Sequence, residues 1–286
     1  MPPILRLLRP LQWVKSAFVA APLFFNAPLW SAQTLALVAW GMAAFCLMAS
    51  AVYVLNDLMD READREHAVK RLRPLASGEV SPSLAYVLIL VLLVIALEIA
   101  TWLGGLFPVF LLSYGAIQLL YCFWLKNHAL IDVMTIAIGF VLRVLAGAAL
   151  IDVTPTSWII IMTMLLALFQ GLAKRRDDLV HAMEVSHRRS LVGYNKPFLD
   201  VAISVILGGL LVAYLIFTTD AAVIERFGTE NLFYTAPLVI LGILRYLQIT
   251  LVEEKSGSPT EVVLRDKFMI FSILGWVVSF FVVPHV

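Results

Sequence analysis

The sequence predicts an all-α, polytopic membrane helical bundle of about nine transmembrane helices, and three observations carry that expectation. Of its 286 residues, 61% are hydrophobic and 14% charged, against about 45–50% and about 25% in soluble domains. The apolar residues fall in runs of about 20, enough for a helix to cross a bilayer core about 30 Å thick. The runs are continuous rather than alternating, and open strand edges cannot be satisfied in lipid, so sheet is excluded.

Charge, Pro and Gly punctuate nine candidate spans. The first, 14–31, follows Arg6, Arg9 and Lys15; the second, 34–55, stops at Asn56-Asp57; the third, 83–103, lies between Pro82 and Gly104. The fourth, 106–125, ends at Lys126, the fifth, 129–151, at Asp152, and the sixth, 155–173, begins at Pro155 and ends at Lys174. The seventh, 199–219, ends at Asp220, the eighth, 232–251, at Glu253-Glu254, and the ninth, 268–284, follows Lys267. The first could be read as a signal peptide, but its basic region is long and Trp13 sits where an interfacial aromatic anchor would.

Nine spans put 18 of the 21 Lys and Arg residues in connections that share the face of the N-terminus. The positive-inside rule then places that face in the cytoplasm. The formal charge of +1 gives no reason to expect nucleic acid as a partner. Cys46 and Cys122 lie inside apolar runs, which suits neither a disulfide framework nor a zinc site.

No large soluble domain fits, so residues 1–286 read as a single transmembrane domain. Two cytoplasmic connections, 56–82 and 174–200, hold 21 of the 41 charges. They follow the second and sixth spans, which hints at an internal duplication with one polar loop per helix group.

Within the first loop, Asp57, Asp60 and Asp64 would stand at i, i+3 and i+7 on one stripe if the second helix continued past the membrane surface. Such carboxylates repel one another, and a divalent cation removes that cost. Oxygen-only ligands point to Mg²⁺, which commonly binds through one or two carboxylates plus substrate phosphates. Arg61 and Arg65 could instead neutralise the acids as a solvated helix end. Arg65, on the other reading of that residue, and Lys70, Arg71 and Arg73 within the same loop offer phosphate-binding groups beside the proposed metal.

The second loop carries six basic and four acidic residues, with Lys174, Arg175, Arg176, Arg188 and Arg189 as phosphate candidates. Lys174, Asp178 and His181 share a helical stripe. Arg143, inside the fifth span, must face the protein interior; it could grip a phosphate or pair with Asp132 or Glu98. Asp132 is itself a candidate cavity residue. Glu98 and Arg245 read as internal ion-pair or interface groups, and Lys15 and Lys126 as further phosphate partners at span ends.

Asn56-Asp57-x-x-Asp60-x-x-x-Asp64, at the end of the second span, resembles the UbiA superfamily of intramembrane prenyltransferases. The stretch Asn56 to Val80 is similar to the decaprenyl-phosphate phosphoribosyltransferase branch. So are Leu8-Arg9-Pro10-Leu11-Gln12-Trp13-Val14-Lys15, Tyr121 to Lys126, Arg143 to Gly147, Lys174-Arg175 and Val262 to Asp266. The resemblance implies a helical bundle in a bacterial inner membrane, with a cytoplasm-facing polar cavity and a side opening for an isoprenoid chain. It implies 5-phosphoribosyl diphosphate as donor, a polyprenyl phosphate as acceptor, and Mg²⁺ held by Asp57, Asp60 and Asp64 with Asn56 beside them. Tyr121, Asp132 and Asp178 would line the cavity.

Where aromatic-accepting members carry a second acidic motif, this chain has Lys174 and Asp178, which favours phosphate gripping over a second complete metal site. The alternatives are prenyl transfer from a prenyl diphosphate to an aromatic acceptor, and a transporter without catalysis. Oligomeric state, self-association included, is open at this level.

Overall fold

The computed structural model describes residues 1–26, 29–66, 69–180, 189–254, 262–263 and 265–283. Its α-helices are α1 (Pro3–Leu8), α2 (Ala21–Phe24), α3 (Ala32–Met59), α4 (Arg61–Glu66), α5 (Pro82–Leu103) and α6 (Phe107–Phe123), then α7 (Ile131–Leu150), α8 (Ser157–Val180), α9 (Lys196–Thr219), α10 (Ala221–Phe227), α11 (Ala236–Leu247) and α12 (Lys267–Val282). No strand forms among the described residues. Six segments are long and apolar enough to cross a membrane: α3, α5, α7, α8, α9 and the stretch Asn231–Val252 that contains α11. The chain is a multi-pass integral membrane protein. The shorter apolar helices α6 and α12 coincide with the fourth and ninth candidate spans.

The first candidate span differs in kind. Pro10–Ala20 forms an 11-residue 3₁₀ helix that leads into α2. Pro22 has no N–H to give the Phe18 carbonyl, which is taken instead by Ala21 N–H in a tighter turn. The segment still runs antiparallel to α3: Arg9 meets Asp57, and Trp13 Nε1 donates to Ser50 Oγ at 3.0 Å. Trp13 is thus tied to a neighbouring helix rather than serving only as an interfacial anchor.

The described residues form two compact units, one of Met1–Lys126 and Ile138–Thr156, the other of Asn127–Ala137 and Ser157–Val286. In the first, α3 packs on α5, α6 and the 3₁₀ segment around Phe45, Phe107, Leu111 and Tyr114. Gly147 of α7 is required here, because a Cβ built on it would lie 1.9 Å from the Val19 carbonyl oxygen. In the second, α8 packs on α9, and α11 on α12, around Phe169, Leu199, Ile203 and Tyr246. The ring of Phe169 meets that of Tyr246 edge-on at 4.5 Å.

Candidate functional site

In the first unit, α3 ends at Met59, and Asp60 caps it through N–H donation to the Asn56 carbonyl at 2.9 Å. A turn at Asp60 interrupts the helix, which resumes as α4 with the Asp64 N–H still bonded to the Asp60 carbonyl at 2.8 Å. Asp57 and Asp64 nevertheless converge: Arg73 Nη1 donates to Asp57 Oδ1 at 3.1 Å and to Asp64 Oδ2 at 2.7 Å. Asp60 turns to Lys126, whose Nζ lies 2.9 Å from Oδ1, and accepts from Asn56 Nδ2 at 2.9 Å. Lys126 Nζ also donates to Asn56 Oδ1 at 3.2 Å.

Local chemistry explains how the cations reach this place. Arg73 precedes Pro74, which forces it out of helical backbone; it is extended at φ −67, ψ 142. The following turn is pinned by Leu75 and Val80, which pack with Leu7, Val54 and Ala85. Arg9 stands between α1 and the 3₁₀ helix in left-handed backbone at φ 52, a conformation that costs an arginine about 1–3 kcal/mol. From there its guanidinium reaches Asp57 and lies 5.1 Å over the ring of Tyr53. Sequence reading left Arg9 out of the site, although it stands inside the quoted Leu8–Lys15 motif; its partner is 48 positions away.

Three carboxylates thus meet three cations. The Asp57 side chain is 3% exposed, but Arg9 and Arg73 are each 28% exposed and Lys126 is 20% exposed. The other expected phosphate groups of this unit are more scattered. Arg65 donates to Glu62 at 2.8 Å and to the Ala76 carbonyl at 3.3 Å. Lys70 and Arg71 occupy the 3₁₀ turn Lys70–Leu72, Lys15 is half-buried on the N-terminal 3₁₀ helix, and Tyr121 is half-buried near the end of α6. Of the two alternatives for Arg143, the pairing with Asp132 or Glu98 is not made: Arg143 bonds Tyr114 and the Gly139 carbonyl, and Glu98 is exposed.

In the second unit, Asp132 at the start of α7 is fully buried and accepts from Arg175 Nε at 2.7 Å and from Tyr194 Oη at 2.7 Å. Tyr194 Oη in turn accepts the Leu130 N–H at 2.6 Å, where Leu130 is left-handed at φ 67. Burial first, then the bond to Asp132, pushes the Tyr194 hydroxyl above the usual tyrosine range, so it remains a donor at neutral pH. Arg175 is 1% exposed; its Nη1 lies 3.4 Å from Asp178, and Lys174 Nζ 3.7 Å from the same carboxylate. Arg176, also buried, donates to Asp200 on α9. The expected phosphate contact at Arg175 therefore meets a side chain held in a sealed ion pair, whereas Lys174 is half exposed. Arg188, His181 and the side chain of Arg189 lie outside the described residues. Tyr194 gave no signal in the sequence, being neutral and remote from every motif.

A family model described as the UbiA prenyltransferase family matches residues 13–273. The chain belongs to this family. The UbiA chain is 32% identical to decaprenyl-phosphate phosphoribosyltransferase of Mycolicibacterium smegmatis, covering 96% of this chain and 90% of that protein. It is 31% identical to the protein of the same name from Mycobacterium tuberculosis, covering 96% and 92%. A solved UbiA homolog from Archaeoglobus fulgidus, bound to GPP and Mg²⁺, superposes with a TM-score of 0.75 at 23% identity, covering 99% of this chain and 100% of that one. That likeness shows a shared UbiA fold.

The donor chemistry of the acidic cluster fits a hard divalent cation: every candidate ligand is oxygen, and Asp57 and Asp64 point at one shared position, that of Arg73 Nη1. Among the described residues no three His, Cys, Asp or Glu side chains gather as a ready-made metal group. The geometry is that of a carboxylate pair with Asp60 set aside on Lys126, which suits an ion completed by water and phosphate oxygens.

Proposed function

We propose that this UbiA protein transfers the 5-phosphoribosyl group from 5-phosphoribosyl diphosphate to a polyprenyl phosphate. The reading is supported by two relatives at 31–32% identity whose printed names state decaprenyl-phosphate phosphoribosyltransferase. The geometric observation that carries it is the convergence of Asp57 and Asp64 on the part-exposed Arg73, with Arg9 on Asp57 and Lys126 on the neighbouring Asp60. Residues 1–286 act as one UbiA-like transmembrane domain. The lopsided distribution of basic residues supports a bacterial inner membrane location with the N-terminus and the acidic cluster on the cytoplasmic side.

Asp57 and Asp64 would hold Mg²⁺, with Asp60 and Asn56 adjoining them. The ion, when bound, supplies positive charge to the diphosphate leaving group. Arg9, Arg73 and Lys126, which neutralise the carboxylates, then have phosphate oxygens as alternative partners of the same charge. Lys70 and Arg71 add donors for the donor's 5-phosphate. The acceptor phosphate oxygen is already anionic, so its attack on ribose C1 needs no proton abstraction. The C1–O bond to diphosphate breaks as the new C1–O bond forms, diphosphate leaves with the electron pair, and the product is a polyprenyl-phosphoryl ribose 5-phosphate. Catalysis of this kind is alignment and electrostatic stabilisation.

The test is transfer of ribose-labelled 5-phosphoribosyl diphosphate by purified protein with Mg²⁺. Label should enter the lipid fraction only when polyprenyl phosphate is present. Coupling of a prenyl diphosphate to a phenolic acid, with no ribose label in lipid, would reject the proposal.

A further inference from the structure

Arg143 is a buried cation, 4% exposed, in the apolar core of the first unit. Among the described residues no carboxylate pairs with it. Its Nη2 donates to Tyr114 Oη at 2.9 Å and its Nη1 to the Gly139 carbonyl at 2.9 Å, while Nε has no hydrogen-bond partner. The rings of Tyr114, Phe140 and Phe45 stand 4.4, 5.3 and 5.7 Å from its guanidinium carbon. Aromatic faces and neutral oxygens orient a guanidinium without neutralising it. A charge kept this way inside a membrane bundle is costly, and an ionisable group at such a position marks a functional site by default.

A second observation says from which direction an anion would come. On α3, Cys46, Ser50, Tyr53 and Asp57 recur at intervals of four, three and four residues, one helical stripe running inward from the acidic cluster. Arg9 covers the Tyr53 ring from the Asp57 end. Tyr53 packs against the core cluster that holds Phe45 and Tyr114, the rings that face Arg143, so Tyr53 lies between Arg9 and the surroundings of Arg143. Phe45, which Arg143 faces, precedes Asp57 on α3, so Arg143 stands deeper in the bundle than the carboxylates and bonds none of them.

We infer that Arg143 is the specificity-determining residue for the acceptor: with Arg9 it binds the phosphate monoester of a lipid acceptor beside Tyr53. This rests on the phosphoribosyl-transfer reading above. A neutral aromatic acceptor would leave the guanidinium without a counter-charge, whereas a phosphorylated isoprenoid brings both the charge and an apolar chain suited to the surrounding rings.

The experiment titrates the purified full chain in nanodiscs with a polyprenyl monophosphate, the matching polyprenol, inorganic phosphate, and 5-phosphoribosyl diphosphate with Mg²⁺. Wild-type protein should prefer the monophosphate over the alcohol by about 10- to 100-fold, the range of a charge-assisted bond set. In Arg143→Gln that preference should fall to within about threefold, while donor affinity stays within about twofold. An unchanged preference in Arg143→Gln, or equal weakening of donor and lipid, overturns the inference. Inorganic phosphate competing as strongly as the lipid would assign the site to a free anion and overturn the lipid assignment. If Arg143→Gln does not accumulate folded, Arg143→Lys keeps the charge but loses the planar fork; acceptor KM should rise about fivefold at constant donor KM, and a constant acceptor KM overturns the inference. Arg143-dependent lipid binding without ribose transfer sinks the functional reading alone, and ribose transfer indifferent to Arg143 sinks this inference alone.

Discussion

Asp57 in the first unit and Asp132 in the second are both buried carboxylates on membrane helices, but the cations that neutralise them differ in access to water. Asp57 is met by Arg9 and Arg73, each part-exposed, whereas Asp132 is met by Arg175, sealed together with it. A part-exposed cation can leave a carboxylate for a phosphate at small cost, because water covers it on the way. A sealed one cannot, because either group left alone would be a bare charge in low dielectric. The comparison teaches that burial of an acid does not mark a functional site; the exchangeability of its counter-ions does.

The contrast is tested most severely by removing each acid. Asp57→Asn and Asp64→Asn should each lower ribose transfer by about 10²–10³-fold, the loss expected when one pre-organised electrostatic contact is removed. Their melting temperatures should move little, since the cations left behind can be solvated. Asp60→Asn, which faces Lys126 and Asn56, should cost activity less, about tenfold by the same reasoning for a positioning charge. Asp132→Asn should do the reverse. Leaving Arg175 buried without its partner should destabilise the fold by about 3–5 kcal/mol, read as a lowered melting temperature and loss of folded protein. Equal loss of stability in Asp57→Asn and Asp132→Asn would erase the distinction.

Smaller changes sharpen it. Gly147→Val drives a side chain onto the Val19 backbone, and overpacking of this kind costs about 1–3 kcal/mol or more; it should lower thermal stability without altering the ratio of donor to acceptor KM. Tyr194→Phe leaves the Leu130 N–H without its acceptor and Asp132 Oδ1 with only the Val133 N–H, which should cost about 1–3 kcal/mol and spare the chemistry of the first unit. The smallest effect concerns Asp266, which caps α12 through Met269 N–H at 2.9 Å. The Arg245 guanidinium bonded to it holds its carboxyl below the usual aspartate range. A depressed folded-state pKa contributes stability above the unfolded value and loses it as pH falls through the folded value. The melting-temperature gap between wild type and Asp266→Asn should therefore persist at neutral pH and close on acidification below about pH 4.

Much of this was legible in the sequence, and the misses have physical causes. The apolar runs located the long helices because length and composition are local properties. The acidic spacing located Asp57, Asp60 and Asp64, but i, i+3, i+7 logic assumes an unbroken helix and cannot foresee the turn at Asp60. Arg73 was legible as a phosphate-binding group beside the acids but not as the bridge between Asp57 and Asp64, and Arg9 read as a generic basic residue, since only the folded chain brings them to Asp57. Arg175 passed for a phosphate ligand because charge counts do not reveal a buried partner 43 positions away. The first candidate span is a 3₁₀ segment, Pro10–Ala20, followed by the short α2 rather than one long apolar helix, a difference that hydropathy alone does not register.

The central claim is that Asp57 and Asp64 together hold the divalent ion through which the diphosphate donor is bound. Calorimetric titration of 5-phosphoribosyl diphosphate into the wild-type chain, with Mg²⁺ and then with excess chelator, tests it directly, with Asp57→Asn and Asp64→Asn as parallel samples. The account predicts saturable binding that chelation removes and that both variants lack. Binding that survives the chelator, or that both variants retain at full strength, would contradict it.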